Sequence, residues 1–96
     1  MSDYLDIAVL IGIEDFTALT ILYCNNNQLT NLDVSKNTAL TDLRCDDNQL
    51  TSLDVSNNTD LKYLNCGYNQ LISLDVSKNT ALTDLNCGEE VKVIKD

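Results

Sequence analysis

The sequence predicts an all-β-rich solenoid, a nearly straight stack of coils with two short parallel strands in each 21-residue turn. Three observations predict it. Residues 19–39, 40–60 and 61–81 superimpose on one another without a gap, and a fourth copy starts at Leu82 and degenerates after Gly88. Within each copy the apolar residues fall in Leu-x-Cys and Leu-x-Val triplets, which put two side chains on one face of a short strand and the middle residue outside. The connection between triplets, Ser-Lys-Asn-Thr-Ala or Ser-Asn-Asn-Thr-Asp, is too short to cross the back as a helix, and its side chains compete for backbone hydrogen bonds. Parallel strands on both sides would space the coils by roughly 4.8 Å front and back, so little curvature is expected.

Each part of the chain follows from that stack. Residues 1–18 are expected to cap it, with Leu5, Ile7, Val9, Leu10, Ile11, Ile13 and Phe16 covering the first coil. Residues 19–88 are the repeats (19–39, 40–60, 61–81 and a partial 82–88), and residues 89–96 form a closing strand. There Val91, Val93 and Ile94 alternate with Lys92 and flank Lys95, charges that protect an edge against strand addition. Few apolar side chains remain to close this end, so weak homodimerisation through the strand is expected.

Composition removes most other classes. The 96 residues carry 15 acidic side chains against 6 Lys and Arg, a formal net charge of -9, and no His. Without His there is no Ser-His or Cys-His nucleophile pair and no imidazole metal ligand, and the Asp46–Asp47 carboxylate pair lies on an open strand end without an evident cleft. The chain reads as a non-enzyme. Scattered cations and an acidic balance disfavour nucleic acid and anionic membranes, and no apolar run is long enough for membrane insertion. Acids and no Lys or Arg precede the apolar stretch from Ile7 to Ile13, so it does not read as a secretory signal, and the chain is expected to remain where it is made.

Leu40, Leu43, Cys45, Asn48 and Leu50 spell Leu-x-x-Leu-x-Cys-x-x-Asn-x-Leu, the leucine-rich repeat signature, and Leu50, Leu53, Val55, Asn58 and Leu61 repeat nearly the same spacing within the coil. On Leu50 to Thr59 and Leu61 to Leu71, the chain resembles short bacterial leucine-rich repeats of the 21-residue, IRREKO-type class, over Gly12 to about Gly88. The resemblance implies a leucine-rich repeat coil stack, a protein-interaction or adhesion role, and a parent at the bacterial surface or secreted. The lack of a signal and the small number of repeats set the chain apart and agree with a trimmed or engineered array.

Stacking turns equivalent residues into columns. Cys24, Cys45, Cys66 and Cys87 form one; in-register strands hold their Cβ vectors parallel, which opposes disulfide torsion, and a linear column cannot converge on zinc. Free thiols acting as small core hydrophobes are expected, with no metal and no cofactor. Asn27, Asn48 and Asn69, and likewise Asn37, Asn58 and Asn79, are expected to satisfy turn backbone within and between coils. The column Asp33, Asp54 and Asp75 places like charges side by side, to be offset by Ser35, Ser56 and Ser77, by Lys36 and Lys78, or by bound calcium.

The two strand faces differ in variety. Outward residues of the second strand barely change between copies, whereas those of the first run Ile21, Asp42, Tyr63, Asp84 and Tyr23, Arg44, Asn65, Asn86. Tyr and Arg are common interface anchors. The predicted binding face is therefore Tyr23, Asp42, Arg44, Tyr63, Asn65, Tyr68 and Asp84, with a protein as first choice of ligand and a glycan as second. The alternative is a structural scaffold, a trimmed or designed minimal array with no natural ligand.

Overall fold

A computed structural model describes residues 17–95. Six three-residue strands are present: β1 (Ile21–Tyr23), β2 (Asp42–Arg44), β3 (Tyr63–Asn65), β4 (Ser73–Asp75), β5 (Asp84–Asn86) and β6 (Lys92–Ile94). One parallel sheet runs β1-β2-β3-β5, and a second parallel sheet pairs β4 with β6. The described residues contain no helix. About four turns of a parallel β-solenoid result.

The 21-residue period becomes the register. Leu22 lies opposite Leu43, Leu43 opposite Leu64, and Leu64 opposite Leu85. Under the first sheet the Leu22, Leu43, Leu64 and Cys24, Cys45, Cys66 columns are fully buried. Leu32, Leu53 and Leu74 meet them from the second side together with Val34, Val55 and Val76, closing one continuous core. Leu85, Cys87, Val91 and Val93 are only partly covered, because the fourth coil has no coil above it among the described residues. The expected N-terminal cap, including Leu5 to Phe16, lies outside the described residues.

The second side departs from the expectation of a strand in every coil. Leu-Asp-Val alternates in and out as predicted, but among the described residues backbone strand pairing on this side is confined to β4 with β6. The reason is local. Each Asp-x-Ser closes a turn straight after the triplet, with the Ser35, Ser56 and Ser77 amides donating to Asp33, Asp54 and Asp75 Oδ1 at 3.0, 2.9 and 2.9 Å. The carbonyls that a neighbouring strand would use then receive side-chain amides instead: Asn58 Nδ2 donates to Val34 O and Asn79 Nδ2 to Val55 O. Only between the third coil and the fourth, which lacks this Asn, does true strand pairing form.

The Asn columns bond to turn backbone. Asn48 Nδ2 donates to Cys45 O at 3.0 Å in its own coil and Cys24 O at 3.1 Å in the coil before, while its Oδ1 accepts from Leu29 N at 3.0 Å. Asn69 repeats this one coil on, reaching Cys66 O, Cys45 O and Leu50 N. Asn27, in the first described coil, donates to Cys24 O and Asn25 O. In the other column Asn58 and Asn79 each bridge two carbonyls, including Asn37 O and Asn58 O. A turn buried inside a solenoid would otherwise strand these backbone groups away from water.

Candidate binding face

The first sheet positions the predicted residues by its register: Tyr23 lies opposite Arg44, and Asp42 opposite Tyr63. Because Leu22, Leu43 and Leu64 fill the inner face, their strand neighbours must point out. Outward placement brings four of them into one cluster. The Arg44 guanidinium carbon lies 4.4 Å from the Tyr23 ring centroid and 4.9 Å from that of Tyr63, so the cation is flanked by two aromatic rings. Asp42 ties the cluster from below, accepting from Tyr23 Oη at 3.2 Å and facing Arg44 Nε at 3.7 Å. That last separation is an ion pair without a hydrogen bond.

Arg44 is therefore a held cation. Asn65 is likewise occupied, its Oδ1 accepting from Gly67 N at 3.2 Å. Asp84 continues the row beyond Tyr63 and is exposed. Tyr68 stands apart, at the turn following β3, and is 83% exposed. Its φ of +54° continues a column of left-handed residues, Asn26 at +60° and Asp47 at +57°. Asn and Asp tolerate that conformation through local side-chain bonds, and a bulky ring does not share the advantage. The sequence held this signal in Asn26 and Asp47, residue types characteristic of such turns. Ile72, 81% exposed, is an apolar surface residue that the repeat comparison missed.

Burial pushes the Cys24 and Cys66 thiols up to about 12 and raises Cys45 well above the ordinary thiol value, with neighbouring column members adding to the effect at Cys45 and Cys66. All four cysteines are free, three of them buried. Serine offsets the acidic column: the Ser35, Ser56 and Ser77 bonds lower Asp33, Asp54 and Asp75 below the usual carboxylate value, with Lys36 and Lys78 adding a smaller effect at the first and last. Among the described residues no group of His, Cys, Asp or Glu converges as a metal site. Desolvation raises Asp46 first, with the Asp47 charge contributing.

No known protein-family model and no curated protein sequence matches the chain. Solved structures do. The functional domain of InlJ from Listeria monocytogenes, described as including a cysteine ladder, is similar at 25% identity and a TM-score of 0.66, over 96% of this chain and 25% of that one. An internalin, InlF, from Listeria monocytogenes superimposes with a TM-score of 0.78 at 23% identity, over 92% of this chain and 27% of that one. The chain thus spans about a quarter of the length of either. With its 21-residue register, buried Leu columns and cysteine ladder, the described chain is a leucine-rich repeat solenoid.

Proposed function

We propose that the chain is a non-enzymatic recognition module that binds a protein across the first sheet, through Tyr23, Asp42, Arg44, Tyr63, Asn65, Tyr68 and Asp84. The carrying observation is the Tyr23–Arg44–Tyr63 stack braced by Asp42. A cation held between two rings presents aromatic area with little side-chain entropy left to lose on binding, which suits an interface anchor. The likeness to two Listeria solenoids supports a parent exported to the bacterial surface or beyond. No helix among the described residues is long and apolar enough to cross a membrane.

The test is a pull-down from the native setting with the whole chain, followed by titration of the captured protein against variants. Tyr63→Ala should cost on the order of 2 kcal/mol of binding, and Ser52→Ala, on the second side, should cost nothing measurable. Loss with Ser52→Ala and none with Tyr63→Ala would reverse the assignment of faces. Capture of nothing would favour the scaffold alternative.

A further inference from the structure

We infer that the seam between the third and fourth coils is a second binding site, which takes a basic peptide segment in extended conformation. The site arises from a break in the ladder. Coils one to three are sealed at the turn after the first strand: Leu29 N and Leu50 N are capped by Asn48 and Asn69, Gln49 N and Gln70 N donate to Leu29 O and Leu50 O, and Asn26 N and Asp47 N donate to Asp46 O and Gly67 O. The strand below the seam still pairs, Cys66 N donating to Asn86 O at 2.8 Å. Beyond it the pattern stops.

The fourth coil is shorter. Its first strand keeps the offset of 21, Asn65 opposite Asn86, but its second strand has slipped to 19, Ser73 opposite Lys92. The left-handed residue moves forward to Gly88, at φ +89°, and Glu89 and Glu90 occupy the stretch where each earlier coil carries its capping Asn. Among the described residues Tyr68 N, Leu71 N and Leu71 O consequently have no hydrogen-bond partner, although their counterparts in the preceding coils all do. A groove of about 520 Å³ opens there, lined by Tyr68, Leu71, Cys87, Gly88 and Val91 together with Glu89 and Glu90.

These features select the occupant. Two unpaired amides and a carbonyl along one wall are what an extended backbone satisfies when it adds to an open edge, and Leu71 and Val91 offer the apolar floor for an alternate side chain. Two glutamates and no Lys or Arg line the groove, so the complementary segment is cationic. The acidic N-terminal stretch of this chain fails that requirement, as does a second copy carrying a net charge of -9. Tyr68 walls the groove from a left-handed backbone position that disfavours a ring. The site shares Tyr68 with the first-sheet face but does not depend on the Tyr23–Arg44–Tyr63 cluster.

The experiment titrates the isotope-labelled whole chain with the blocked pentapeptide Lys-Leu-Lys-Val-Lys, and separately with Glu-Leu-Glu-Val-Glu, following amide chemical shifts. Expected are saturable shifts at Tyr68, Leu71, Gly88 and Val91 for the basic peptide, with affinity for the acidic peptide weaker by about tenfold or more. Glu89→Gln with Glu90→Gln should weaken the basic peptide by about tenfold, whereas Tyr63→Ala should leave it unchanged. Tyr68→Asn, which suits the left-handed backbone and keeps the fold, should weaken it too. Equal response to both peptides, shifts confined to the first sheet or to Lys92–Ile94, no saturable shift, or dilution-dependent shifts without peptide would each overturn the inference. A Tyr63→Ala effect on the peptide would merge the two sites and overturn it as well.

Discussion

Asn48 is the residue whose replacement tests the physics of the stack most directly. It is 7% exposed and carries four hydrogen bonds, donating to Cys24 O, Cys45 O and Asp46 O and accepting from Leu29 N. Asn48→Ala removes all of them and strands Leu29 N, on a buried residue of the neighbouring coil, while Cys24 O keeps only its bond from Asn27 Nδ2. At roughly 1 to 3 kcal/mol for the stranded amide and about 0.5 to 1.5 kcal/mol for each further hydrogen bond lost, the loss should be about 3 kcal/mol. Total stability for a domain of this size is about 5 to 10 kcal/mol, so the change is large. In urea denaturation followed by circular dichroism, with a slope near 1 kcal/mol/M, the midpoint should fall by about 3 M. Asn48→Asp discriminates further. It keeps the acceptor for Leu29 N but turns a carboxylate oxygen toward three carbonyls, so at pH 7 it should be at least as damaging as Asn48→Ala. Burial and those carbonyls raise the folded-state pKa of the new carboxyl, so its penalty should shrink as pH falls through that value and the protonated form becomes a donor. A loss under 1 kcal/mol for Asn48→Ala, or a pH-independent penalty for Asn48→Asp, would refute the ladder as a source of stability.

Four further outcomes follow from the same structure. A thiol reagent at mildly alkaline pH should label Cys87, the one partly exposed cysteine, before Cys24 and Cys66, and Cys45 last; Cys45 reacting early would contradict its burial. Asp54→Ala should destabilise at neutral pH and the difference from wild type should fade in acid: Ser56 lowers the folded-state pKa, so the stability is present above the unfolded value and lost as pH falls through the folded one. Tyr68→Asn should raise stability by about 0.5 to 1 kcal/mol by relieving the left-handed ring-bearing residue, read as an increase in urea midpoint. Weak dimerisation through β6 should appear in sedimentation at high concentration and be reduced by Val93→Pro, because Lys92 and Ile94 bond to the β4 side and leave the Val93 N–H facing the open edge; a monomer at all concentrations would remove it.

How much of this was legible in the sequence depends on whether a feature repeats. Leu43, Cys45 and Asn48 recur every 21 residues, so identical neighbours lie above and below, and a column can be read from one coil. Register, core and both Asn ladders follow. The Tyr23–Arg44–Tyr63 stack does not repeat: it joins an opposite neighbour to a diagonal one, and which pair of outward side chains meets depends on rotamers and on the pull of Asp42. The outward placement of these residues was legible and their bonding to one another was not. On the second side, Leu-Asp-Val has the alternation of a strand, but the Asx turn at Ser35 and the amide of Asn58 take the pairing groups; pattern gives facing, while pairing needs free carbonyls. The seam left one readable mark, Gly88, a residue suited to positive φ one place earlier than Asn26, Asp47 and Tyr68 predict.

That mark connects stability with recognition. A repeat array is held by nearest-neighbour interfaces, and each intact interface here consumes its own turn amides and carbonyls through the Asn ladder. A coil that loses its capping Asn weakens one interface and frees those backbone groups at the same place. In this chain the loss falls where Tyr68, Leu71 and Val91 supply apolar surface and Glu89 and Glu90 supply charge. The first sheet, by contrast, carries its variable side chains at no cost to the backbone, since its strand pairing runs unbroken from β1 to β5. Two kinds of surface therefore arise from one repeat: a side-chain face that can change without touching the ladder, and a backbone groove that exists only where the ladder fails. Restoring the seal, by inserting two residues with an Asn in the fourth coil, should tighten the stack and abolish the groove while leaving the Tyr23–Arg44–Tyr63 face as it is.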